Sequence, residues 1–219
     1  MNKLFKIYGI LFILLAAGIV AEGCWPHKCD YTEYNFNFTS LRVRQAESLG
    51  IGNWPVSVEP RPVLRENYGI HMFFDGEREI REIHQALNSN RRNLLLIQSA
   101  YAFSPASCEN YTLKSTITAI QIVSENDFDS LHPAGSDITE YFGVQTNMNE
   151  DGTPVFKPVA DYLKDMFEYL SKTDIEYTPV FDMHCMLTTP PEAGEYTFTV
   201  VACMSDGRTL KQSIKAELR

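Results

Sequence analysis

The chain is short of positive charge, of long apolar runs and of familiar catalytic signatures. Lys and Arg number 19 against 28 Asp and Glu in 219 residues, a net charge of −9. Phosphate-backbone binding needs a basic footprint, so nucleic acid is excluded as a partner class. The apolar stretch Ile7–Ala21 is shorter than the ~18–20 residues that cross a bilayer as a helix. No G-x-S-x-G elbow exists, because Ser136 in "PAGSD" follows a glycine but lacks the second one. No Walker loop exists, and "GIGNWP" from Gly50 lacks the third glycine of a dinucleotide fingerprint. No segment repeats at a fixed period and none is of low complexity. These absences disfavour an enzyme and leave a binding or assembly protein as the expected class.

Metal-ligand patterns are equally thin. "NMNEDGTPVFKP" begins like a calcium loop at Asn147, Asn149 and Asp151, but Pro158 stands where the bidentate Glu must be. A glycine-proline turn is the simpler reading. Glu125, Asp127 and Asp129 alternate in "ENDFDS", yet such acidic loops are usually only solvated. Asp182 and His184 lie two apart on an expected strand and so share a face, but zinc wants three or four ligands. His71 belongs to another strand, and the sequence does not place it beside them. No metal site and no cofactor is expected.

What is present begins at the N-terminus. Lys3 and Lys6 precede the short apolar core, and Ala21 and Gly23 precede Cys24. This is the layout of an export signal, with cleavage expected between Gly23 and Cys24. The chain has five cysteines, an odd number that leaves one thiol over in an exported protein. The bond before Cys24 resembles a bacterial lipobox, in which the cysteine is acylated and becomes the first mature residue. The match departs at Ala21 and Glu22, where such boxes usually hold Leu and a small residue. The alternative is ordinary signal-peptidase cleavage and a free Cys24 thiol. Acylation would turn a soluble protein into an anchored one. Trp25 would then sit at headgroup level, and residues 24–33 would form a lipid-proximal tether. Lys3, Lys6 and Glu22 together carry +1, so their removal leaves the mature chain at −10. Cys24 and Cys29 are spaced C-x4-C, not as the redox C-x-x-C.

The rest, 34–219, reads as one mainly β domain. "GEYTFTVVACMSDGRTLKQSIKAEL" holds two alternating runs joined by Asp206-Gly207, a hairpin signal. "EYNFNFTSLRVR" alternates at Tyr34, Phe36 and Phe38 and changes parity at Leu41 and Val43, which implies a bulge. Further strands are expected at Tyr68–Phe74, Asn93–Phe103, around Ile117, Ile120 and Ile122, and at Ile175–Leu187. That makes about seven strands, the pattern of a β-sandwich. Helical spacing marks 158–172, with Val159, Leu163, Met166 and Leu170 as the apolar stripe. Pro133–Phe142 could open a short helix capped by Ser136, so 133–172 is expected as a helical insertion. Gly76–Asn90 also carries helical spacing at Ile80, Ile83 and Leu87, with an ordered loop as the alternative.

The final hairpin resembles the last two strands of an immunoglobulin-like domain, with Tyr196 placed as a tyrosine corner. An immunoglobulin-like strand order would pair Cys29 with Cys203 at one end of the sandwich and Cys108 with Cys185 at the other. The lipoprotein start, "AIQIVSENDFDSLHPAGSDITEYF" and the closing hairpin together resemble uncharacterised Bacteroidetes-type cell-envelope lipoproteins. That resemblance implies a bacterial cell envelope and a lipid anchor in the outer membrane, and it brings no catalytic residues with it; "CWPHKCD" lacks the acidic cluster that follows the cysteine in many surface lipoproteins, which favours the periplasmic side. Partners would be the membrane through the acyl groups and an envelope protein or a glycan. Trp54 lies in the Gly/Pro-rich connector 50–62. A plug over the sandwich end is the favoured reading, since Trp is highly buried on average; an exposed ring stacking on a sugar is the other.

Overall fold

The computed structural model describes residues 31–84, 108–173, 175–176 and 178–219. Apart from Tyr31, His84 and Cys108, these belong to one compact unit, 32–83 with 109–219. Among the described residues there are ten strands: β1 (Tyr31–Glu47), β2 (Val56–Val58), β3 (Tyr68–His84), β4 (Cys108–Leu113), β5 (Ile117–Ser124), β6 (Phe142–Met148), β7 (Pro154–Pro158), β8 (Phe181–Leu187), β9 (Gly194–Met204) and β10 (Thr209–Leu218). One α-helix, α1 (Val159–Lys172), follows β7. The large sheet runs β2-β1-β3-β8-β6-β7, with β4 also paired to β1; the small sheet runs β10-β9-β5.

Alternation explains which face each strand buries. In β1 the inward residues are Phe36 and Phe38, then Leu41, Val43 and Gln45, so the inward set passes from even to odd numbers. In β3 they are Ile70, Met72 and Phe74, and in β8 Phe181, Met183, Cys185 and Leu187. The small sheet answers with Ile120, Ile122, Phe198, Val200, Ala202 and Ala216. Phe198 joins the two layers: its ring lies 5.5 Å from that of Tyr68 and 6.0 Å from that of Phe142. Burying each such ring stabilises the fold by roughly 2–3 kcal/mol. The register shift between Ile117 and Ala119 lets both Ile117 and Ile120 face inward despite their odd spacing.

The hairpin turns at Gly207, whose φ of +85° suits glycine alone. The Tyr196 hydroxyl donates to the Glu192 carbonyl at 2.9 Å, which ties the start of β9 to the chain just before it. Val159 and Leu163 of α1 are buried, and the helix packs on β5, β6 and β7. Arg208 fastens the hairpin to β1, donating to the Phe38 carbonyl at 3.0 Å and to Asn37 Oδ1 at 2.5 Å.

Several expectations are corrected. Residues 76–84 are not helical: they continue β3, and 77–82 are exposed. Charge pairs hold this extension, Arg78 to Glu109 at 3.1 Å and Lys114 to Glu79 at 2.5 Å. Residues 133–172 are not a helical block, since β6 and β7 lie within them and only a 3-10 turn forms at Thr139–Tyr141. The strand expected from Ile175 begins at Phe181. The strand expected at Asn93–Phe103 falls outside the described residues, as do the signal segment, Cys24, Trp25 and Cys29.

Candidate functional site

The connector from β1 to β2 and the sheet face beside it group exposed apolar side chains with a part-buried polar cluster. Gly50 and Gly52 adopt φ of +91° and +80°, a left-handed backbone that lets the chain turn sharply twice. The Gly52 amide donates to the Gly152 carbonyl at 2.9 Å, pinning the connector to the turn between β6 and β7. The Ser48 amide donates to the Asn67 carbonyl at 2.8 Å, and Asn53 closes the loop on Gly50 at 3.2 Å. On this fixed frame four large apolar side chains face solvent: Leu49 at 54%, Ile51 at 73%, Trp54 at 53% and Val56 at 37% exposure. Trp54 is therefore not the plug expected of it. Pro55 is the buried member of the connector, and the indole stays outside.

Ser57 follows on β2 and pairs with Ala46 of β1. Its hydroxyl is hydrogen-bonded to His71 Nδ1. His71 Nε2 lies 3.1 Å from Asp182 Oδ2. The β3–β8 register sets His71 directly opposite His184 and Phe73 opposite Asp182. The two imidazoles stack with centroids 3.7 Å apart, and the His71 ring also meets Phe73 at 3.7 Å. Arg42 and Arg44 of β1 lie over the other side of this group, 5.6 and 5.7 Å from the Phe73 centroid. Arg42 is paired with Asp75 at 2.6 Å.

Burial pushes His71 below the usual imidazole range; the Asp182 bond opposes this and Arg44 adds to it. Burial also pushes His184 down, with His71 beside it, to about 4. Both shifts favour the neutral ring, and a neutral His71 with its proton on Nε2 towards Asp182 has the Nδ1 lone pair facing the Ser57 hydroxyl. The sequence showed that Asp182 and His184 share a face and named His71 without placing it beside them. It missed Ser57, because these approaches depend on strand pairing across the chain and no local motif records them.

The other candidates resolve into structure. Glu125 accepts from the Thr199 hydroxyl at 2.6 Å, Asp127 accepts from the Ala134 amide at 2.8 Å and Asp129 accepts from the Leu131 amide at 2.8 Å. Asp151 accepts from the Thr153 amide at 2.9 Å in the turn at Gly152. No group of three His, Cys, Asp or Glu among the described residues has metal-binding geometry. Cys185 and Cys203 are free thiols. Neither expected bridge is formed by them: Cys185 is fully buried on the inner face of β8, and Cys203 on β9 stands between Thr209 and Ala119. No described helix is long and apolar enough to cross a membrane.

No curated protein matches the chain. Among solved structures, the C-terminal domain of the Streptococcus agalactiae AgI/II polypeptide BspA aligns over 82% of this chain and 50% of its own, at 11% identity and a TM-score of 0.25. A second chain, BspA_C_WT, aligns over 82% of this chain and 51% of its own with the same identity and score. The chain thus spans about half of each, and a similarity at that level carries no argument about fold or function. A family model does match most of the chain, residues 50–215, from the exposed connector through Ser57, His71 and Asp182 to β10. The protein belongs to the DUF5034 family, a domain of unknown function.

Proposed function

We propose that this is a membrane-anchored envelope lipoprotein that binds a partner through the connector 48–56. The observation that carries this reading is the exposure of Leu49, Ile51, Trp54 and Val56 on a loop whose backbone is pinned. Exposed apolar side chains grouped on an ordered loop mark contact surfaces. A rigid aromatic anchor loses little entropy when it docks.

Acylation of Cys24 would supply the anchor, in the outer membrane of a Bacteroidetes-type envelope. β1 has 17 residues and, at ~3.3 Å per residue, carries the chain roughly 50 Å from its start to the connector. Intact-mass analysis of the mature N-terminus tests the anchor, since an unacylated Cys24 would remove it.

Binding is tested by intrinsic fluorescence, with Trp54→Phe to separate Trp54 from Trp25. Co-purification with envelope proteins that is lost in Trp54→Ala and Ile51→Ser supports the assembly reading. Unchanged co-purification would refute it. The second reading is a glycan-binding accessory to nutrient uptake, favoured by the half-open Trp54 ring, which could stack on a sugar. It expects quenching of Trp54 by at least one member of a polysaccharide panel, and silence across the panel would oppose it.

A further inference from the structure

Ser57, His71 and Asp182 form a continuous hydrogen-bonded chain from an exposed hydroxyl through a buried imidazole to a half-exposed carboxylate. The parts have the order that activates a serine: hydroxyl to base, base to carboxylate. The ring nitrogens are used in the reverse of the usual sense, with Nδ1 facing the hydroxyl. The chemistry needs only that one nitrogen carry its proton to the carboxylate and the other offer a lone pair. Stacking on His184 and a tilted contact with Phe73 fix the ring plane. Arg44 lies on the same face of β1 as Ala46, the partner of Ser57. Its guanidinium lies 5.7 Å from the centroid of the Phe73 ring that packs on His71.

We propose that Ser57 is a nucleophile and that this face of the large sheet hydrolyses small carboxylic esters. His71 serves as general base and acid, and Asp182 is its positioning residue. Ser57 Oγ adds to the ester carbonyl as its proton passes to His71 Nδ1. The carbon–oxygen bond to the leaving alcohol breaks, and that oxygen takes the proton from Nδ1. Water then adds to the acyl-serine and gives a proton to Nδ1. The acid departs, and Ser57 Oγ recovers the proton. No oxidant, metal or cofactor enters the balance. This proposal goes beyond the binding reading and shares no residue with its test.

The probe is p-nitrophenyl acetate with the full chain, followed by release of nitrophenolate and by mapping of acetyl or fluorophosphonate adducts. Wild type is expected to exceed Ser57→Ala by about a hundredfold, the scale of general-base assistance. The adduct is expected on Ser57. Replacing buried His71 risks the fold, so the second variant is Asp182→Asn, at a half-exposed site. It is expected to lower the rate tenfold or more, with unfolding unchanged. It should also move the pH–rate profile to lower pH, because a group that holds the proton on His71 is gone. The groups facing His71 are Ser57 from β2, Arg44 from β1, and Asp182 and His184 from β8. Equal rates for wild type and Ser57→Ala, an adduct on another residue, or a wild-type rate and profile in Asp182→Asn would each overturn the proposal.

Discussion

The His184 imidazole lies on that of His71 with centroids 3.7 Å apart and planes 21° from parallel. Burial, then the neighbouring ring, pushes His184 to about 4, against 6.5 for a free imidazole. The unfolded chain therefore takes up a proton below pH ~6.5 that the folded chain does not. This contribution to stability is whole above ~6.5, drains as pH falls, and is gone at about 4. Its ceiling is about 3 kcal/mol, and partial exposure of the ring lowers it. Denaturant unfolding of wild type and His184→Phe is expected to show the wild type losing more stability over that window. A gap between the two that does not vary with pH would rule this out.

Arg208→Ala removes the bonds to the Phe38 carbonyl and to Asn37, and a third to Ser115 Oγ at 3.2 Å. Ser115 is buried, so its hydroxyl keeps only the Asn37 contact. A loss of about 2–3 kcal/mol is expected, the range for charge-assisted bonds. Arg208→Lys should recover little of it, because one ammonium cannot reproduce the planar fork. Denaturant midpoints distinguish the three proteins.

Phe198→Ala empties the junction of the two sheets, where the ring meets Tyr68, Phe142 and, at 5.7 Å, Tyr196. A cost of about 3–5 kcal/mol is expected. Phe156→Ala on β7, where the ring is 39% exposed, should cost far less. Similar midpoints for the two would contradict the assignment of the core.

Gly76→Ala tests the close approach of β3 to β1. A methyl at this position meets the Asn37 carbonyl oxygen, which is backbone, and the Phe36 ring at 2.6 Å. A buried aromatic and a main-chain oxygen cannot both yield, and a loss of about 1–3 kcal/mol is expected. Gly207→Ala is strained for a different reason, its positive φ, with open space around it. Comparing the two variants separates contact from conformation.

Alkylation of native protein is expected to reach Cys203 well before Cys185. Burial pushes the Cys185 thiol up and leaves it fully enclosed, and the thiolate is the reactive form. Early labelling at Cys185 under native conditions would show that β8 opens more readily than its packing implies.

The sequence reads best where one face of an element is dry and its partner is close by. β9 and β10 alternate cleanly and are joined by Asp206-Gly207, so both strands and their turn were legible. The stripe of α1 was legible for the same reason, and the parity change in β1 showed in Leu41 and Val43. Legibility fails where both faces are wet. The tail of β3 is charged at every position of 77–82 but Ile80, which is itself exposed, and strand pairing rather than burial keeps it extended, so Ile80 and Ile83 gave a false helical period. It fails again where position depends on distant partners. His71 and Asp182 are 111 residues apart, and nothing near either announces the other. Trp54 was misjudged because burial averages cannot see that Pro55 takes the inward place.

β1 has a mechanical consequence. It is hydrogen-bonded to β3, β2 and β4 at different points along its length. Inter-strand bonds in antiparallel pairs lie across the strand direction. A tug on the polypeptide ahead of β1, directed along the strand, would strain many of them at once in shear instead of peeling them open one by one. Tension arriving from that side would load the β1 ladder as a whole before it reached the connector at its far end.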